Sequence, residues 1–296
     1  MIFSPVKYDE PLFRPPSEAY SFIFQVTTGC SWNRCAFCEM YTSKTFKVKS
    51  EDAVIEEIEV ASNYYADVRK VFLADGNAMV LSTKRLLNIL NQLQHSFPKL
   101  TRVSTYASCS DLENKSEKEL LELRNAGLKL IYVGIETGDE ELLALVNKGE
   151  TVNSIERNLL KAQHAGIKTS VMILNGLGGK KYSKQHALNS AKIVSVIQPD
   201  FLSTLVLSFP FGVDHYKQKF LGEFEEMNNI ELMQELLFFL SETSLSNTIF
   251  RSDHASNYVS LKGILGRDNQ KLQSQLDYAI ANPRSGILRE EWQRGL

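Results

Sequence analysis

Short apolar, β-rich runs alternate with longer stretches of helical period over roughly the first 210 residues of this chain, and that alternation restricts it to parallel strands joined by crossover helices. Strands are expected at 22–27, 70–74, 101–106, 129–135, 168–174 and 201–207. Helices are expected at about 51–66, 83–95, 139–147, 152–165 and 183–197. Another begins at Ser116, where Glu119 three residues on completes a capping box, and ends at Gly127. In the first helix Ser50 is the expected N-cap, with acidic residues in the first turn and Val54, Ile55, Ile58 and Ala61 at core-facing spacing. Right-handed crossovers bring the C-terminal ends of six such strands to one rim, the usual place for chemistry in α/β enzymes. Polar and glycine-rich residues collect at these strand ends. Beyond residue 225 the alternation stops, leaving a helix at about 229–243, a strand-like 247–250, a polar loop and a last helix at about 268–281.

Three of the four cysteines lie within nine residues, Cys30, Cys35 and Cys38, directly after the first strand. A structural zinc site closes with four protein ligands, whereas an iron–sulfur cubane held by three thiolates leaves one iron open. A zinc knuckle that borrows Cys109 or a histidine stays open as the alternative. Clustered thiols without a disulfide framework point to metal binding in a reducing compartment.

With 296 residues, 43% of them hydrophobic and 23% charged, the chain has the composition of a globular, catalyst-sized protein. Its net charge of −2 is spread without a basic stripe, so obligatory nucleic-acid binding is not expected. No apolar run approaches the roughly 20 residues that span a bilayer, and Met1-Ile2-Phe3-Ser4-Pro5 does not open a secretory signal. The expectation is a cytoplasmic protein with no membrane partner.

The cysteine triplet with Phe37 before its last member, Asp75-Gly76-Asn77 after strand two and Gly134-Ile135-Glu136-Thr137-Gly138 at strand four together resemble the radical S-adenosylmethionine superfamily. Within it the chain resembles uncharacterised iron–sulfur oxidoreductases distantly similar to oxygen-independent coproporphyrinogen oxidase. The resemblance covers roughly residues 20–210 and implies an α/β fold, a partial TIM-type (β/α)6 barrel. The expected organisation is an N-terminal arm over 1–19, the core barrel over 20–224 and a small α/β extension over 225–296. One departure is the spacing of the first two cysteines, where Ser31-Trp32-Asn33-Arg34 makes four intervening residues instead of three.

The resemblance implies that Cys30, Cys35 and Cys38 hold a [4Fe–4S] cluster whose unique iron binds S-adenosylmethionine. Reductive cleavage would give a 5′-deoxyadenosyl radical that abstracts hydrogen from a small-molecule substrate, with electrons from a flavodoxin or ferredoxin. Phe37 matches the family's adenine-contacting aromatic, and Glu136 matches the carboxylate that accepts ribose hydroxyls. Asp75-Gly76-Asn77 stands where the family has a Gly-Gly-Glu turn on the cofactor's amino group, and Asn175 opens a glycine loop expected near the adenine or methionine. Each has a plainer reading. The first is also an ordinary turn, Glu136 also a helix N-terminal carboxylate, and the 176–179 loop also a simple glycine connection.

Cys109 is a candidate hydrogen-atom donor at the rim or else a small buried residue. Arg251 and His254, in a dense polar loop, are candidates for a substrate carboxylate or a proton, or else close the side of the fold. Lys44, Lys47 and Lys49 read as a solvated face, and His186 as a surface or core-edge residue. With one cysteine left over, a second cubane and sulfur insertion are not expected, nor is a cobalamin module ahead of strand one. Two alternatives remain: oxidation of a tetrapyrrole carboxylate, with Arg251 and Arg267 as carboxylate contacts, and a non-catalytic haem or iron–sulfur chaperone.

Overall fold

The computed structural model describes residues 6–294. In chain order the elements are β1 (Phe22–Gln25), β2 (Thr27–Thr28), β3 (Lys47–Val48), α1 (Glu51–Ser62), β4 (Lys70–Ala74), α2 (Thr83–Ser96), β5 (Arg102–Tyr106), α3 (Cys109–Glu113), α4 (Glu117–Asn125) and β6 (Leu128–Glu136). They continue with α5 (Glu140–Leu145), α6 (Val152–His164), β7 (Lys168–Asn175), α7 (Gly179–Ile197), β8 (Phe201–Val206), α8 (Val213–Lys219), α9 (Asn229–Glu242), β9 (Thr248–Ser252), β10 (Leu261–Leu265) and α10 (Asn269–Ala281). All six expected strands are present, and every expected helix forms.

The chain folds into two compact units, one of residues up to Asn33 with 38–133 and 157–169, the other of 34–37, 134–156 and 170 onward. In the first unit β1, β4, β5 and β6 run parallel, with Phe24 beside Leu73 and Leu73 beside Thr105. The C-terminal ends of these strands therefore share one edge, where the Cys30 loop, Asp75 and Cys109 follow. Ser50 caps α1 by accepting from the Ala53 N–H, and Val54, Ile58 and Ala61 are buried as the 3.6 period requires. In α2 the same period buries Leu86, Ile89, Leu90 and Leu93. Ser116 and Glu119 cap α4 reciprocally, and these bonds from Ser116 pull the Glu119 carboxyl down to about 2. From the N-terminal arm, Glu18 buries its carboxylate and accepts from the Arg102 guanidinium at 2.7 Å and the Tyr132 hydroxyl at 2.6 Å.

In the second unit β7, β8 and β9 are parallel, so the loop after β9 lies at the C-terminal end of β8. Strand β10 turns back antiparallel to β9. It was not expected, because Leu261–Leu265 lacks β-branching apart from one isoleucine and contains a glycine. Helix α7 starts at Gly179, ahead of the expected 183, since Gly178 serves as its N-cap with no side-chain bond to mark it. The short helices α3 and α8 also escaped the periodicity, being less than about two turns long.

Candidate functional site

In the first unit the turn after β4 grips the start of the cysteine loop. Asp75 Oδ2 accepts the Gly29 N–H at 3.1 Å, and Asn77 Oδ1 accepts the Ser31 N–H at 3.1 Å. Asn77 Nδ2 donates to Ser31 Oγ at 2.7 Å and to Asp111 Oδ2 at 2.9 Å. Between them, the Gly76 N–H donates to the Gly29 carbonyl at 3.1 Å. A Cβ on Gly76 would stand 2.6 Å from that carbonyl oxygen, 2.8 Å from Cys30 Cα and 3.0 Å from Cys30 Cβ. Gly76→Ala is therefore expected to cost about 1–3 kcal/mol by overpacking against backbone and to displace Cys30, seen as lower iron uptake on reconstitution and a lower melting temperature.

Asp75 is fully buried and its charge is matched by Lys44, whose Nζ lies 2.8 Å from Oδ2 and which is itself almost wholly buried. Gln25 Nε2 adds a third donor at 3.3 Å, and the Lys44 ammonium also donates to the Asp9 carbonyl. Lys44 thus leaves the solvated face expected for it, because the chain returns after Tyr41 to place it beneath the β4 turn; Lys47 stays exposed, and Lys49 pairs with Glu57. Burial, followed by the nearby Asp75 carboxylate, drives the Tyr41 phenol far above its ordinary range, so it remains neutral there. Asp111 is set by a second reciprocal cap, with Ser108 at the start of α3. Cys109 opens that helix and is fully buried.

The four cysteines make no disulfide, and Cys30, Cys35 and Cys38 are each partly exposed. Among the described residues no three Cys, His, Asp or Glu side chains are drawn around a single metal centre. A zinc knuckle needs such a cage, with sulfur about 2.3 Å from one ion, whereas the thiolates of a cubane each bind a different iron and stand apart. Three partly exposed thiols on one loop are soft donors of the kind that hold an iron–sulfur cluster.

In the second unit residues 34–37 of the same loop are anchored by the Ala36 N–H, which donates to the Val146 carbonyl at 2.8 Å. Ala36 is buried among Leu142, Val146, Leu177 and Tyr216, with Phe37 half-buried against that cluster. The Lys148 ammonium sits 5.9 Å from the centre of the Phe37 ring and 3.5 Å from Glu136 Oε1. Glu136 ends β6 in a left-handed conformation (φ 64°), with its carboxylate folded back over Gly134, where any Cβ would collide with it. Its Oε2 is buried without a hydrogen-bond donor. Burial raises its pKa, with Lys148 pulling the other way. The helix-capping role is taken by Asp139, which accepts the Leu142 N–H at 2.9 Å.

Asn175 is buried at the end of β7, and its carbonyl accepts the Leu207 N–H at 2.9 Å. The glycines after it are required by packing: Gly176 (φ 82°) lies against Leu232, and Gly178 against Tyr182 and Leu142. A buried polar chain links Gly176, Glu235, His186 and Thr137. The Gly176 N–H donates to Glu235 Oε1 at 2.6 Å, His186 Nε2 lies 3.9 Å from that oxygen, and His186 Nδ1 is 2.8 Å from Thr137 Oγ1. His186 is thus buried in the core of the unit, and only its spacing along α7 hinted at this.

Arg251 falls within β9 and not in the loop; it is exposed and donates to the carbonyl of Phe250. His254 Nδ1 accepts the Ser256 N–H at 3.1 Å, and burial with nearby Arg289 lowers its pKa. Arg289 donates to the carbonyls of Asp253, His254 and Asn257, and Asn257 completes the end of β8 through Val206 and Thr204. The polar density of this loop therefore has a structural purpose. Arg267 spends its guanidinium on Asp268 through two contacts of 3.1 Å.

Residues 24–191, more than half of the chain, match the family model described as the Radical SAM superfamily. The chain belongs to this superfamily. The fold is accordingly the α/β partial barrel of that superfamily, whose members use a [4Fe–4S] cluster and S-adenosylmethionine as cofactors. The chain is similar to the haem chaperone HemW of Bacillus subtilis, 20% identical over 134 residues, which is 45% of this chain and 35% of that protein. Among solved structures it is similar to coproporphyrinogen III oxidase HemN from Escherichia coli, with a TM-score of 0.59 at 18% identity over 75% of this chain and 52% of that one. It is also similar to methylornithine synthase PylB, with a TM-score of 0.52 at 15% identity over 86% and 68% of the two chains. The chain thus spans about a third of the curated relative and about half of HemN. Among the described residues no helix is long and apolar enough to cross a membrane.

Proposed function

We propose that Cys30, Cys35 and Cys38 hold the cluster, that Phe37 and Glu136 meet the adenosine of S-adenosylmethionine, and that the substrate is a small molecule. The observation that carries this reading is the loop itself: three undisulfided, partly exposed thiols after β1, with fixed backbone on both sides of Cys30 and at Ala36. When bound, the cluster and S-adenosylmethionine supply a 5′-deoxyadenosyl radical that abstracts hydrogen from substrate. The residues of the chain bind and orient. Glu136 offers a buried carboxylate oxygen that a ribose hydroxyl can donate to, and Lys148 balances its charge. Phe37 offers a half-buried aromatic face. The packed apolar surroundings of Ala36 keep water from one side of the loop.

Asp75 Oδ2 and Asn77 make their contacts with the loop, and Asp75 Oδ1 is buried without a donor, so the methionine amino group falls to Asp75 Oδ1 or to a backbone carbonyl near the β4 turn. An external flavodoxin or ferredoxin supplies the electron, and the cytoplasm is the compartment that suits an accessible cluster. Similarity to HemW favours a haem-chaperone role as the second reading, while tetrapyrrole oxidation loses one of its expected carboxylate contacts, since Arg267 is spent on Asp268. The deciding experiment is anaerobic reconstitution with iron and sulfide, reduction by dithionite with S-adenosylmethionine, and chromatography. About four irons per chain and slow formation of 5′-deoxyadenosine are expected. Loaded cluster with no deoxyadenosine, with or without cell extract, together with stoichiometric haem binding, would move the assignment to the chaperone.

A further inference from the structure

The geometry points to the Asp75-Gly76-Asn77 turn as a clamp that positions Cys30, with Lys44 as the buried counter-ion that lets Asp75 serve in it. The inference rests on the reading of Cys30 as a cluster thiolate and goes beyond it by giving the turn a task besides any contact with the cofactor. Three consecutive residues meet three consecutive residues. Asp75 holds the Gly29 N–H, Asn77 holds the Ser31 N–H, and Gly76 lies against Cys30 so closely that only hydrogen fits. Both backbone amides flanking Cys30 are thus held by side chains of one turn.

Each side chain is engaged by the loop through one oxygen, while Asp75 Oδ1 is buried without a donor. Asp75 Oδ2 already serves Gly29, Gln25 and Lys44, while the amide nitrogen of Asn77 is divided between Ser31 and Asp111. The clamp also accounts for the longer cysteine spacing. With Cys30 fixed, the extra residue is taken up just after it, where Asn33 adopts a left-handed conformation (φ 45°) and its Nδ2 donates to the Tyr41 carbonyl at 3.0 Å. Asp75, Asn77 and Lys44 are therefore positioning residues acting through the cysteine.

The test compares the wild-type chain with Lys44→Met, Asp75→Asn and the double variant. The readouts are the alkylation rate of Cys30 relative to Cys35 and Cys38 in the apo-protein, by mass spectrometry, and the paramagnetic resonance signal of the reduced, reconstituted cluster. Each single variant leaves a buried charge without its partner and is expected to raise the Cys30 ratio about tenfold, the worth of roughly one good hydrogen bond, and to shift the signal. The double variant removes both charges and keeps an oxygen for the Gly29 N–H, so both readouts are expected to return to within about twofold of wild type. Asn77→Leu, which breaks no ion pair and leaves Asp111 its Ser108 N–H donor, is expected to raise the ratio similarly and stands in should either single variant fail to fold. Equal ratios in all chains alongside a four-iron wild type would overturn the clamp alone. A wild-type chain that takes up no iron would overturn the cluster reading and the clamp with it.

Discussion

The Cys35→Ala chain is expected to yield no 5′-deoxyadenosine above background after reconstitution, while its fold and melting temperature stay close to wild type. Cys35 is partly exposed and precedes the anchored residue Ala36, so its removal opens no core cavity and leaves the Ala36 to Val146 hydrogen bond in place. What is lost is one of three thiolates, and the chain has no spare in the loop: the fourth cysteine, Cys109, is fully buried at the start of α3. A cubane bound by two thiolates is labile, so iron content is expected to fall well below about four per chain even under anaerobic conditions. Cys30→Ala and Cys38→Ala are expected to behave alike, and air to bleach the wild-type protein. Retained deoxyadenosine formation by Cys35→Ala would remove this residue from the ligand set.

Glu235→Ala is expected to destabilise the protein by about 2–4 kcal/mol, read as a fall of several degrees in melting temperature. Two causes add. The Gly176 N–H loses its acceptor in a buried site, and the side-chain volume in α9 is left empty. Glu235→Gln separates this structural part from the charge, since it keeps an oxygen for Gly176. Burial is the main cause that raises the Glu235 pKa, opposed by His186, Ser183 and the Gly176 N–H. A carboxyl whose folded pKa is raised holds its proton longer in the folded state than in the unfolded one. Stability should then fall as pH rises from about the ordinary value of 4.5 toward the folded value, and level off beyond it. Glu235→Gln is expected to flatten that slope and to be at least as stable as wild type at neutral pH. An unchanged pH profile of melting would show that Glu235 contributes no such slope.

What was legible in the sequence was local. The six strands and their helices follow from apolar periodicity, the α4 start from Ser116 and Glu119 three residues apart, and the candidate metal-binding loop from three cysteines in nine residues. Elements too short for a period, such as α3 and α8, were not legible, and neither was β10, whose pairing with β9 supplies what its own residues lack.

The duties of the polar residues were decided only by tertiary structure. Lys44 and Asp75 are 31 positions apart, and Gly176 and Glu235 are 59 apart, so nothing in either neighbourhood announces the pairing. The amino-acid order determined which groups the chain carries and on which side of each strand or helix they emerge. Folding then buried some of them, and a buried charge or amide must find a partner or be destabilising. That demand turned an apparent surface lysine into the counter-ion of Asp75, and it set the turn after β4 against the backbone around Cys30.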